Sequence, residues 1–168
     1  MPDSATLSPS IDVEAPGEAP AVAALIERVF GPGRYAKAAE RLREGNQFIR
    51  ELSFVARRDG AVVGAVRLWP VRIGERPALL LGPIAVESSA RHHGLGRALA
   101  LRSCEAAARH GHAVVVLVGD RSFFCPLGFE PVEPGAITFP GPADPQRILV
   151  KPLNPGALDG LAGPVTLP

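Results

Sequence analysis

Val86-Glu87-Ser88-Ser89-Ala90-Arg91-His92-His93-Gly94-Leu95-Gly96-Arg97-Ala98-Leu99 is the stretch on which the fold turns. It leaves an apolar, strand-like run, Ala78 to Val86, and enters a helical segment from about Gly94 to Gly111 with Leu95, Ala98, Leu99, Arg102 and Ala106 along one side. A glycine-bearing loop between a strand and a helix leaves main-chain N–H groups free at the helix start. Those donors and the helix dipole stabilise an anion such as a diphosphate. Gly94 and Gly96 let oxygens approach the main chain, and Arg97 adds charge-assisted bonds.

Two nucleotide motifs fail on spacing. A Gly-x-Gly-x-x-Gly fingerprint needs a third glycine, but Ala98 and Leu99 follow Gly96. A phosphate-binding loop of the Gly-Lys-Ser/Thr type is absent from the sequence.

Working outward, the run before the loop is interrupted by Gly82-Pro83. Proline cannot donate to a ladder, so the interruption predicts a bulge or an opening in the sheet. After the helix, Ala113 to Val118 reads as a fully buried strand, and strand, helix, strand predicts a right-handed crossover between parallel or diverging strands. Upstream, Ser53 to Arg58 and Ala61 to Trp69 flank Asp59-Gly60, the signal of an antiparallel hairpin. A helix is expected from Ala21 to Phe30, stopped by Gly31-Pro32-Gly33, and a second from about Tyr35 to Glu44, capped by Gly45-Asn46. Residues 1–19 read as partly irregular, with a short strand between Leu7 and Val13. Strands are expected near Phe129 and at Arg147 to Lys151, and the proline-rich residues 152–168 read as an irregular tail. The fold class predicted is α+β, a mixed, mostly antiparallel twisted sheet flanked by helices, in a single domain spanning 1–168.

Composition bounds the function. The 168 residues suit one domain at about 150 residues each. The formal charge of +1 carries no run of like charges, so neither a nucleic-acid stripe nor a membrane anchor is expected. No apolar run approaches the roughly 18 residues that span a bilayer. The polar start lacks a secretory pattern and the two cysteines, Cys104 and Cys125, lack metal or disulfide spacing, which together suggest a reducing, cytoplasmic setting.

Arg91-x-x-Gly94-x-Gly96, with the interrupted strand before it and a helix and buried strand after it, resembles the acetyl-CoA signature of the GNAT superfamily of N-acetyltransferases. Gly119 to Phe129, ending in Gly128-Phe129, is similar to that superfamily's segment after the buried strand, and Leu153-x-Pro155-Gly156-Ala157-Leu158 matches the tails of small bacterial predicted acetyltransferases. The resemblance covers about Ala21 to Lys151. It implies a central splay between two parallel strands and acetyl-CoA as co-substrate. The diphosphate would rest on the amides of Arg91, His92, Gly94, Leu95 and Gly96 with Arg97 nearby, and the pantetheine arm along main-chain groups of Ile84, Ala85 and Val86. The acceptor implied is a primary amine of a small molecule or a protein, and homodimers through C-terminal strands are expected on the same ground. The main-chain N–H of Val86 is the expected donor to the oxyanion.

The chain departs from that pattern at one position. The usual acid is a tyrosine four residues before Gly-Phe, and here Phe124 stands there. Three outcomes stay open: the thiolate leaves unassisted or through water, Asp120 or Cys125 takes over, or the fold binds acyl-CoA without turning it over. Asp120 reads either as a base, if burial raises its pKa, or as the cap of a short helix from Arg121 to Cys125. Cys125 reads equally as a small buried hydrophobe. His92 and His93 fall in the presumed phosphate loop, while His110 and His112 flank a helix end where a cation favours the dipole. No metal site is indicated by their spacing. Arg67 and Trp69 share a strand face and, with Arg34 and Tyr35, are candidates for selecting the acceptor.

Overall fold

The Asp59-Gly60 hairpin forms as its dipeptide dictates: Asp59 has φ 52° and Gly60 φ 79°, and Arg58 stands opposite Ala61. The structure, a computed structural model, describes residues 8–91 and 93–168. In chain order the elements are β1 (Ser10–Val13), α1 (Ala19–Phe30), β2 (Phe54–Arg58), β3 (Ala61–Ile73), β4 (Arg76–Val86), α2 (Leu95–Arg109), β5 (Val114–Val118), α3 (Arg121–Phe124), β6 (Glu130–Pro131), β7 (Ile137–Thr138), β8 (Ile148–Pro152) and β9 (Gly163–Thr166). The sheet runs β1-β2-β3-β4-β5-β8-β6 and is antiparallel along this path except where β4 meets β5. This is the mixed, mostly antiparallel α+β architecture expected from the sequence.

Two faces of the sheet are covered by different helices because alternate residues point opposite ways. On one face Leu95, Leu99 and Cys104 of α2 pack on Val66, Leu68, Leu79, Leu81 and Leu117. On the other, Val22, Leu25 and Ile26 of α1 sit on Val55, Ala65 and Ala85. Further along that second face lie Trp69, Val71, Leu80 and Val116, under Leu42. Each fully buried aliphatic side chain here contributes about 1.5–3 kcal/mol.

Two expectations are corrected. The segment from Tyr35 to Glu44 is not a helix of regular α type but two 3-10 turns, Pro32–Ala36 and Ala38–Leu42, broken at Lys37, whose backbone is extended. Side chains take carbonyls that an α-helix would use: Arg41 donates to Tyr35 O and Asn46 Nδ2 to Leu42 O, and the same Nδ2 ties the segment to β3 through Pro70 O. The tail is not wholly irregular, since β9 pairs with the far end of β3 at Val165–Ile73 and Thr166–Arg72, and in parallel with β7. Gly74 and Gly163 allow this approach; a Cβ on Gly163 would lie 2.8 Å from the Gly74 Cα. Of the expected first strand, Ser10–Val13 is formed and Leu7 lies outside the described residues.

Candidate active site

The splay between β4 and β5 is explicit in the pairing. β5 meets β4 in register only at Leu79–Val115 and Leu80–Val116, then follows β8 as far as Val118 while β4 continues beside β3 to Val86. The edge of β4 that faces β5 is therefore unpaired from Leu81 onward. A cavity of about 460 Å³ fills the gap, floored by Leu81 to Ile84 of β4 and by Leu117 to Asp120 at the end of β5. That volume lies within the ~300–1,000 Å³ of small-molecule sites.

Gly82-Pro83 is a bulge. Val66 stands opposite Ile84 and Leu68 opposite Leu81, so Arg67 alone faces the two residues Gly82 and Pro83. Both flanks of the bulge are fixed. The indole Nε1 of Trp69 donates to Gly82 O at 2.6 Å. Arg67 is held by the fully buried Glu14 through Nη2 to Oε1 at 2.7 Å and Nε to Oε2 at 3.1 Å, and its guanidinium lies 4.1 Å over the Phe48 ring. Arg67 and Trp69 do share a face, yet neither lines the cavity: both anchor its floor.

Alternation along β4 assigns its polar groups. Glu87 N–H donates to Val63 O, on the β3 side. Ala85, two residues back, turns its N–H and C=O the same way, while those of Ile84 and Val86 face the open edge. Of the three residues expected along the pantetheine arm, Ile84 and Val86 thus turn main-chain groups to the open edge and Ala85 does not; its side chain is buried under α1. The Val86 carbonyl already accepts from Arg91 Nε at 3.1 Å, leaving the Val86 N–H as the free donor.

At the mouth of α2, Gly94 is the N-cap with φ 72°, a conformation that favours glycine, and no side chain caps the helix. The N–H groups of Leu95, Gly96 and Arg97 lie in the first turn, which has no intrahelical acceptors. Leu95 is buried against the sheet, so only its main chain is available, whereas Arg91 and Arg97 are exposed. A Cβ placed on Gly96 would meet Phe123, Ile84 and Val86 at 3.6–3.8 Å, ordinary contact distances. The chain's own packing does not demand a glycine there. His92 lies outside the described residues.

Phe124 occupies the position of the expected acid and lines the cavity beside Phe123. Its ring packs edge-on against Phe123 (4.8 Å) and Phe129 (5.5 Å), and Gly119 makes room for it, since a Cβ there would fall 2.5 Å from Phe124 Cε2. Asp120 reaches the cavity too, but as the cap of α3: its carboxylate accepts from Ser122 N at 3.0 Å and Ser122 Oγ at 2.9 Å. Those bonds hold its pKa below the usual carboxylate value, the opposite of what a general base at neutral pH needs. Cys125 is half-buried in the turn after α3 and is not among the cavity's lining residues. Burial pushes the Cys104 thiol up to about 11, which leaves it protonated in the core.

The cavity also collects four basic side chains, three of which, Lys37, Arg43 and Arg147, no motif in the sequence singles out as site residues. Arg34, Lys37 and Arg43 reach it from the two 3-10 turns, and Arg147 from the other wall. The one available signal was compositional: residues 27–43 hold five basic side chains and two acidic ones. Arg34 was named as an acceptor candidate and lies in the wall; Tyr35 does not, its hydroxyl accepting from Arg34 Nη2 at 2.5 Å.

Residues 21–125 match the acetyltransferase (GNAT) family. The uncharacterised N-acetyltransferase YhbS of Escherichia coli K12 is 32% identical over 156 residues, 91% of this chain and 92% of YhbS. The crystal structure of that protein in complex with CoA has a TM-score of 0.79 at 31% identity, covering 94% of this chain and 88% of YhbS. A GNAT family acetyltransferase from Brucella melitensis, in complex with acetyl-CoA, has a TM-score of 0.61 at 26% identity and covers 90% of this chain and 98% of its own.

Proposed function

The chain belongs to the GNAT family of acetyltransferases, and on that premise we propose that it moves the acetyl group of acetyl-CoA directly onto a primary amine of a small molecule or a protein. One observation carries the reading. The unpaired edge of β4, with Ile84 and Val86 turned toward it, starts from a cavity at the bulge and ends beside an uncapped helix N-terminus at Gly94. A molecule with an amide-bearing arm and a diphosphate fits that order: the arm pairs with the strand edge as an added strand does, and the diphosphate meets the amides of α2.

The thioester then lies in the cavity. A free amine attacks its carbonyl carbon, the N–C bond forms, and the oxygen takes negative charge beside the Val86 N–H. Collapse breaks the C–S bond, the electron pair leaves with sulfur, and the proton on nitrogen passes to water. Phe124 supplies no proton, so the thiolate departs without a protein acid, which is feasible because a thiolate is a far better leaving group than an alkoxide or amide. Holding the two reactants together supplies the larger part of the acceleration.

A second reading, an acyl-CoA-binding module without turnover, draws on Phe124 in the acid's place. Release of free CoA from acetyl-CoA in the presence of a panel of primary amines separates the two. Amine-dependent release is expected; tight acetyl-CoA binding with no release above the amine-free rate overturns the transferase reading.

A further inference from the structure

We infer that the acceptor amine carries an anionic group, in its simplest form the carboxylate of an amino acid, held by Arg34, Lys37 and Arg43 on the β4 side of the cavity. The inference rests on the transferase reading and names the substrate class of that same site.

The charges of the cavity wall do not balance within the wall. Arg34, Lys37, Arg43 and Arg147 line it, against Asp120 and Asp144. Both carboxylates are occupied by their own turns, Asp120 accepting from Ser122 and Asp144 from Gln146 N–H at 2.9 Å. The cations are less fully employed. Arg43, with only 14% of its side chain exposed, donates Nη1 to Glu40 at 3.1 Å, and its Nε is buried with no partner. Arg34, 19% exposed, pairs one Nη with Glu27 at 3.0 Å, and its Nε is likewise buried and unpaired. Lys37 has no carboxylate partner among the described residues; its Nζ lies 5.5 Å from the centre of the Phe30 ring. Taking a guanidinium out of water with one carboxylate and an orphaned N–H costs free energy that an arriving anion offsets. The surplus is local, because the whole chain carries only +1.

The diphosphate of the donor does not claim these groups. None of the described residues of the α2 mouth, Arg91 and His93 to Arg97, lines the cavity, so the cations face the other reactant. A positive wall serves the chemistry a second way. It disfavours an ammonium ion and so supplies the neutral amine that attack requires, at a site whose two lining carboxylates, Asp120 and Asp144, are both taken up in capping their own turns. Burial already presses the Arg43 guanidinium toward lower pKa, with Glu40 opposing, the sign of a positive charge short of partners.

Acetyl transfer is measured with L-leucine and L-methionine against their amides, and with spermidine. The free acids are expected to show kcat/KM at least tenfold above the amides. Lys37→Ala is expected to raise KM for the acids about tenfold while KM for acetyl-CoA stays unchanged. Equal or better use of the amides or of spermidine overturns the anionic acceptor and leaves the transferase reading intact. If no amine is acetylated, that reading falls, and calorimetry with the CoA-saturated protein decides the inference: leucine binding lost in Lys37→Ala supports it, and no heat with either amino acid overturns it.

Discussion

Gly94 and Gly96 stand two residues apart and are glycine for different reasons. At Gly94 the backbone is left-handed, whereas at Gly96 a methyl group meets nothing closer than 3.6 Å. Gly96→Ala is therefore expected to gain helix stability, up to about 1 kcal/mol by propensity. It should also weaken CoA binding at least tenfold by calorimetry, because the methyl stands where the donor approaches the main chain. An unchanged CoA affinity would remove Gly96 from the donor's path. Phe124 poses the complementary test. On the proposed mechanism, in which the thiolate leaves without a protein acid, kcat/KM of the native chain should rise with pH as the amine is deprotonated and reach a plateau. Phe124→Tyr places a phenol in the cavity, and a descending limb near the phenol's pKa of about 10 should appear, with a higher plateau. Identical profiles for both would show that this position does not reach the sulfur.

At the scale of elements, the bulge in β4 is where the sheet and the chemistry meet, and it is held by residues far from it in sequence. Glu14 is 1% exposed and Arg67 11%, a buried pair that ties the segment after β1 to the strand opposite the bulge. Glu14→Ala strands the guanidinium and should cost about 3–5 kcal/mol in chemical denaturation, whereas the double change Glu14→Leu with Arg67→Met should recover most of it. A small loss in the single variant would mean that Arg67 finds water instead. The hairpin and the α2 entry were legible because their signals are local: Asp59-Gly60 and Gly94 each specify a backbone conformation at one position. The two 3-10 turns were not, because Lys37 and the carbonyls taken by Arg41 and Asn46 break the helix through contacts that no periodicity encodes.

For the molecule as a whole, stability should fall toward acid in two stages. Burial, with His110 nearby, lowers His112 below its ordinary 6.5, so the folded state holds it neutral. Its contribution is present above that value and is lost as protons bind the unfolded chain more readily on descending through it. Glu18 is lowered from 4.5 chiefly by the hydrogen bonds that Arg57 donates to it, so its contribution is complete above 4.5 and lost as pH falls through the folded value. Tm should thus decline gently below about pH 6.5 and steeply below about pH 4.5. His112→Asn should flatten the first stage and Glu18→Gln soften the second; a Tm constant from pH 7 to 5 in the native chain would contradict the first. No helix among the described residues is long and apolar enough to cross a membrane.

The order of strands and helices from β2 to β5, the glycine loop at the mouth of α2 and the interruption of β4 were set by the sequence alone, since each depends on neighbours within a few residues: alternation, helical spacing and positive φ. The tertiary structure alone decided how far β5 follows β4 before turning to β8, which polar groups of Ile84 and Val86 are left free, and that Arg34, Lys37, Arg43 and Arg147 gather on one cavity. Those are properties of pairs far apart in the chain. Their placement follows from where the core closes and where burial strands a charge, and spacing along a single segment carries no record of either.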